Sequence, residues 1–305
     1  MVTTFIGVDV SKEYLDIFDG KTGRCGRVSR EEIPLWCASV AARAEPAMLV
    51  CEATGVYSKR LIKQLQAQGI AWSEANPRHV RRFAQACGMA AKSDRIDAQV
   101  IARYAQACGV REGRLQSAAA LRLRTLVTRR EQVLAMILME RGHLETTDDA
   151  ALNEGIRTHI AHLTAQQKAL ETSIGAALQA DARVPILLSM PGIGNTTAAA
   201  LLAHLPELGT LNRGQAAALA GLAPFVRDSG SFKGKRCIYG GRAPVRRALY
   251  MAALVAIRHN PRFKALYMAL KENGKPFKVA ITAIMRKMLE TLNAMCKRQM
   301  TFQML

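Results

Sequence analysis

Two short apolar runs, each closed by one acid, constrain this chain more than any other feature: residues 5–8 lead into Asp9, and residues 48–51 into Glu52. Runs of four or so apolar residues are too short for a buried helix and predict strands. The first 110 residues continue in that pattern. Strands are expected over 4–10 and 15–18, as a hairpin around the 11–14 turn, and a third over 25–29. Helical spacing follows over 31–43, then an apolar strand over 47–52, a helix over 61–68, a strand near 70–74, and helices over 77–86 and 95–108. Three strands followed by alternating helix and strand predict an α/β layering around a mixed sheet.

Asp94 and Asp97, in the run KSDRIDA, are three residues apart, so on a helix both carboxylates leave one face. With Asp9 and Glu52 they make an ordered set of four acids. Carboxylates gathered within about 4 Å repel one another by roughly 4 kcal/mol per pair at an effective dielectric of about 20. A divalent cation removes that repulsion, and oxygen ligands of this kind suit Mg2+ or Mn2+. Any one of the four alone carries little meaning; the set is the signal.

Beyond residue 115 the pattern turns helical. Long apolar periodicities over 121–144 and 156–178, separated by a polar break, predict an antiparallel helix hairpin or an interprotomer coiled coil. Residues 116–182 are therefore read as a linker and oligomerisation arm, with an ordinary helical core as the alternative. A mainly α region, 183–305, completes three expected domains after the acid-bearing 1–115. It contains Met190-Pro-Gly-Ile-Gly-Asn195 between two apolar helical segments. Gly192 and Gly194 there either offer backbone N–H groups to a phosphate, as in a helix–hairpin–helix module, or form a plain corner.

The charge is large and uneven. The chain carries 43 Lys and Arg against 24 Asp and Glu, a net charge of +19. From residue 221 onward there are 17 basic and 3 acidic residues, a net +14, which leaves +5 for the first 220. That asymmetry points to a polyanion met mainly by the last segment. The seven cysteines include no C-x-x-C pair and no zinc-type spacing with histidine, so they read as buried thiols of a reducing cytosol. No apolar run reaches the roughly 20 residues needed to span a bilayer, and no signal peptide opens the chain. The expectation is a cytoplasmic, nucleoid-associated protein.

A second focus is Arg227-Asp-Ser-Gly-Ser-Phe-Lys-Gly-Lys-Arg236, in which Ser229 and Ser231 lie in a glycine-rich loop beside Lys233, Lys235 and Arg236. Arg242, Arg246 and Arg247 follow closely. Small residues let a backbone approach a phosphate, and the cations stabilise its charge. A serine held there either attacks phosphorus or serves as a hydrogen-bonding turn residue. Lys12 and Lys92, flanking the acids, read as phosphate neutralisers or as solvated surface.

GVDVSKEYLD, CEATGVY, KSDRIDA, PGIG, ALAGLAP, DSG-x-x-x-GKR and VRRALYMAALVA occur here in this order. Together they resemble, over nearly the whole chain, the DEDD transposases of bacterial insertion sequences (the insertion-sequence-110 type, related to the Piv DNA invertase). The resemblance implies a ribonuclease-H-like (RuvC-like) N-terminal domain, with Asp9, Glu52, Asp94 and Asp97 as catalytic metal ligands. It implies that Ser229 is the nucleophile attacking a DNA phosphodiester, with Ser231 two residues away as the competing register. It also implies an RNA-guided bridge recombinase, acting as a homo-oligomer between dimer and tetramer, with a noncoding guide RNA and DNA as partners.

Three rival readings predict different dependences. A RuvC-like metal-dependent nuclease of the junction-resolvase type would use activated water and leave the serine idle. A non-enzymatic nucleic-acid scaffold would need neither acids nor serine. An actin-like ATPase would need a second phosphate loop, which the sequence lacks.

Overall fold

The computed structural model describes residues 4–53, 55–89, 94–113, 116–225, 228–229, 232–234 and 236–302. The side chains of Val56, Asp94, Arg95, Asp228, Phe232 and Lys233 lie outside that description. The chain divides into two compact units, residues 1–115 and 116–305.

The first unit is a mixed five-stranded sheet with helices on both faces. Its elements run β1 (Thr4–Val10), β2 (Tyr14–Asp19), β3 (Cys25–Ser29), α1 (Ile33–Ala41), β4 (Ala47–Glu52), α2 (Val56–Ala67), β5 (Ala71–Ala75), α3 (Pro77–Ala86) and α4 (Asp94–Cys108). The spatial order is β3-β2-β1-β4-β5. The first three strands form an antiparallel meander, whereas β1–β4 and β4–β5 are parallel. Side chains alternate across a strand, so each strand feeds two cores. Ile6, Val8, Val10, Leu49 and Cys51 pack with Cys37, Leu61 and Leu65 on one face. Met48 and Val50 pack with Val80, Val100 and Ile101 on the other.

The second unit is mostly helical: α5 (Ala118–Thr146), α6 (Ala150–Leu178), α7 (Arg183–Leu188), α8 (Asn195–His204), α9 (Arg213–Ala220), α10 (Ala243–His259), α11 (Pro261–Glu272) and α12 (Phe277–Arg298). Four two-residue strands lie between α9 and α10: β6 (Pro224–Phe225), β7 (Asp228–Ser229), β8 (Phe232–Lys233) and β9 (Cys237–Ile238). Helices α5 and α6 form an antiparallel hairpin within one chain. Arg130 pairs with Glu171 at 2.7 Å and Glu140 with His159 at 2.9 Å, the order that opposed directions require. Each helix has 29 residues, about 43 Å at about 1.5 Å per residue.

The arm at 116–182 and the region at 183–305 were expected as separate domains, but the root of the hairpin shares one hydrophobic cluster with the last helices. Leu123, Val127, Ile174 and Leu178 pack into the same core as Leu201, Leu249 and Met288. Both hairpin helices were also longer than their apolar periodicity indicated, because Ser117 caps one and Asp149 the other. Among the described residues no helix is long and apolar enough to cross a membrane.

Candidate active site

The acids gather at the carboxyl end of the central strands. The last registered pair between β1 and β4 is Val8 with Cys51, so Asp9 and Glu52 stand one step further along neighbouring parallel strands and leave the same face. Helix α4 lies on that face and comes exceptionally close. A β-carbon placed on Gly7 would sit 2.0 Å from the Ala98 carbonyl oxygen and 2.7 Å from the Ala102 nitrogen. Gly7 and Asp9 share a strand face, and Asp97 immediately precedes Ala98. The missing side chain at Gly7 is thus what lets the helix bring Asp97 to the strand ends.

The electrostatics report the same gathering. Burial, and then the charges of Asp9 and Asp97, push the Glu52 carboxyl above its ordinary value, while the Arg81 guanidinium on α3 works in the opposite direction. Asp94 opens α4 one helical turn before Asp97, but its side chain lies outside the described residues. Among the described residues, no three acidic, histidine or cysteine side chains are grouped tightly enough to hold a metal ion. The donor chemistry nevertheless fits a hard divalent cation: all oxygen, mutually repelling and partly desolvated.

A fifth carboxylate belongs to this neighbourhood and escaped the sequence reading. Asp16 is the register partner of Asp9 across β1 and β2, and it is 1% exposed. Arg27 neutralises it with two bonds of 3.0 Å, and the same guanidinium lies 3.8 Å from the centre of the Tyr14 ring. The register made the pairing, and nothing in the local sequence could announce it.

Ser229 lies on a hairpin rather than in an open loop. It pairs with Phe232, leaving only Gly230 and Ser231 between them, and those two lie outside the described residues. Gly-Ser is a composition that two-residue hairpin loops favour. A second strand pair, Phe225 with Cys237 and Pro224 with Ile238, encloses the first. Ser229 is exposed, as is Arg236. Phe225 and Tyr239 meet edge to face at 6.3 Å beside the outer pair.

The base of this hairpin is clamped. Gly221 ends α9 in the left-handed region at φ 69°, and a β-carbon on Gly241 would lie 2.1 Å from the Gly221 nitrogen. Arg242, expected to touch nucleic acid, instead grips Glu207 through two bonds of 2.6 and 2.7 Å and donates to the His204 carbonyl at 3.0 Å. Arg246 donates to the carbonyls of Ala220, at 3.1 Å, and Gly240. Both arginines are committed to orphan carbonyls and an acid of their own unit.

Gly192 is also used differently from expectation. It adopts φ 95°, and a β-carbon there would lie 2.6 Å from the Ala252 carbonyl of α10, so the residue packs two segments closely together. Gly194 is open, with nothing near its absent side chain, and precedes α8 as an N-cap without a side-chain acceptor. Arg247 and the first turn of α8 line an open groove of about 730 Å3 with Leu134, Leu138 and Met251. Lys12 is exposed on the β1–β2 turn. Lys92, Lys235 and the side chain of Lys233 lie outside the described residues.

Two family models match this chain, one over the acid-bearing unit and one over the region that contains Ser229. Residues 184–268 match the family model described as Transposase IS116/IS110/IS902 family. Residues 6–147 match the model DEDD_Tnp_IS110, described as Transposase. The pilin gene-inverting protein of Moraxella bovis is 26% identical over 316 residues, covering 99% of this chain and 98% of its own length. Its counterpart in Moraxella lacunata is equally similar, at 26% over the same span. An uncharacterized 43.6 kDa protein of insertion element IS110 from Streptomyces coelicolor is 34% identical over 135 residues, 43% of this chain and 33% of that protein.

Proposed function

The chain belongs to the IS110-type DEDD transposases, DNA-recombining enzymes, and from that premise we propose that it cuts and rejoins DNA with Ser229 as nucleophile and Asp9, Glu52, Asp94 and Asp97 as metal ligands. The observation that carries the reading is the placement of Asp9 and Glu52 one step beyond the Val8–Cys51 pair, with Asp97 on the helix packed against Gly7; burial, and then the charges of Asp9 and Asp97, hold the Glu52 carboxyl above its ordinary value. The sheet order β3-β2-β1-β4-β5 with flanking helices supports a ribonuclease-H-like assignment for this unit.

The chemistry follows from the hairpin. The Ser229 hydroxyl loses its proton and its oxygen attacks phosphorus, while the bond from phosphorus to the leaving deoxyribose oxygen breaks and that oxygen takes up a proton. The phosphoserine ester conserves the bond energy. A free hydroxyl of the incoming strand then attacks the ester and returns the serine. Bound Mg2+ or Mn2+ would add positive charge beside the scissile phosphate and cancel the repulsion among the four acids. A rigid clamp under the hairpin, made by Arg242, Arg246 and Glu207, suits a nucleophile whose placement decides the rate.

The same proposal includes two partners beyond DNA: a noncoding guide RNA, and further copies of the chain, since two cleavage sites must be joined. The net +14 beyond residue 220 supports a polyanionic partner. Gly194 and the uncapped start of α8 remain candidates for a backbone contact of helix–hairpin–helix type.

The test is excision and circle-junction formation in cells carrying the gene with its native flanking DNA. Ser229→Ala and Asp97→Asn are both expected to abolish joined products. Loss in Asp97→Asn alone would replace the serine mechanism with a nuclease using activated water. Full activity in both would sink the reading altogether.

A further inference from the structure

Helix α3 presents a face that nothing above accounts for. Arg78, Arg81 and Arg82 are exposed and follow the three- and four-residue spacing of one helical face, while Val80 is buried and Phe83 and Ala84 pack inward. None of the three arginines makes a salt bridge with a described acid. The helix also carries His79, which is exposed, and contains no acid. Three like charges within five residues repel one another on an isolated protein.

The position of this face is fixed by the acid site. Ala75 ends β5 as the register partner of Glu52, and Asn76 immediately caps α3 by accepting from the Arg78 nitrogen at 3.0 Å. The helix therefore starts beside the strand end that carries Glu52, and Arg81 is close enough to act on that carboxyl. Its inner face is braced on α4 through Phe83 and Tyr104, whose rings meet at 5.8 Å. The arginine row and Asp97 thus ride on two helices locked to each other.

We propose that Arg78, Arg81 and Arg82 are the seat for the DNA backbone beside the acid site, holding the phosphates that adjoin the one to be cut. Residues 78 and 82 are about 6 Å apart along the axis at about 1.5 Å per residue. A DNA strand carries one phosphate per roughly 3.4 Å of duplex axis, so the row meets about two phosphates of one strand. Guanidinium groups suit this task because their planar fork bonds phosphate oxygens in pairs. The inference rests on the proposed DNA chemistry at this site.

The experiment uses the full-length chain carrying Asp97→Asn to prevent cleavage. The probe is a fluorescein-labelled duplex of the element's own end, followed by anisotropy across a salt series. Arg78→Gln with Arg82→Gln is expected to weaken binding by about tenfold or more at 0.1 M salt and to flatten the salt slope by about two, at roughly 0.9 per phosphate. Arg78→Lys with Arg82→Lys should restore the slope, which separates charge from misfolding. The control is Arg157→Gln on the helical arm, another exposed charge, already paired with Glu154 at 3.6 Å, and it should change neither quantity.

An unchanged affinity and slope in the glutamine pair would overturn the seat. A loss confined to a labelled RNA probe would also overturn it, giving the face to RNA. Recombination measured with Asp97→Asn separates the two levels: activity there overturns the proposed acid site, whatever the arginines bind.

Discussion

Gly7 and Ala98 touch backbone to backbone: a β-carbon on the glycine would lie 2.0 Å from the alanine carbonyl oxygen. That contact sets the distance between the strand bearing Asp9 and the helix bearing Asp97. Neither residue has chemistry of its own, yet between them they decide whether the acids meet.

Gly7→Ala should therefore damage both stability and activity. Overpacking a core site typically costs about 1–3 kcal/mol, and a clash with backbone leaves little room to relax. At roughly 4–8 °C per kcal/mol for a unit of this size, the first unit should melt about 10 °C lower. Thermal unfolding by circular dichroism checks the first effect, and circle-junction formation the second.

Glu52→Gln should separate stability from activity in the opposite sense. The folded state raises this carboxyl, so it binds its proton more tightly folded than unfolded, and ionisation at neutral pH costs stability. The glutamine variant should melt higher than wild type at pH 7, with the gap closing as pH falls toward the ordinary glutamate range. Mg2+ should stabilise wild type by about 2.7 kcal/mol at one hundred times its Kd, an effect that chelation removes and the variant largely lacks. Melting curves across pH, with and without Mg2+, decide it.

Glu290 obeys the opposite sign. Burial works against its charge, but bonds from Arg286 and Arg213, at 2.8 and 2.9 Å, outweigh burial and hold its carboxyl below the ordinary value. Its stabilisation is present above the unfolded value near 4.5 and is lost as pH falls through the lowered folded value. Glu290→Gln should lower the urea midpoint at pH 7 by the equivalent of about 2 kcal/mol, and by little in strong acid.

Arg242→Ala should cost about 1–2 kcal/mol, less than a fully buried pair because both partners retain solvent contact. A double-mutant cycle with Glu207→Ala should show a coupling of about 0.5–3 kcal/mol. Strand joining should fall further than stability does, since the hairpin carrying Ser229 loses its anchor. Purely additive effects in urea unfolding would contradict the clamp.

The strands were legible because their signal is local. The apolar runs predicted Thr4–Val10 and Ala47–Glu52 as they occur, and the third strand expected beside the first hairpin lies at Cys25–Ser29. Helix α2 was anticipated only from residue 61, although it begins at Val56, because Tyr57 and Ser58 blur its periodicity. Asp9 and Glu52 stood out because each closes an apolar run, and Asp97 because it follows Asp94 at helical spacing. Other features depend on register and close approach, which no window of sequence contains: Asp16 opposite Asp9, Gly192 against α10, and Arg242 on Glu207. The serine segment read as a loop since its strands are two residues long, below any periodicity.

Those short strands have an arithmetic consequence. The ladder that holds Ser229 has two pairs, Asp228 with Lys233 and Ser229 with Phe232, and nothing longer to fix its register. A slip of one residue would carry every side chain of such a ladder to the other face. A length change beside the hairpin that looks trivial in an alignment would therefore decide which way the Ser229 hydroxyl faces.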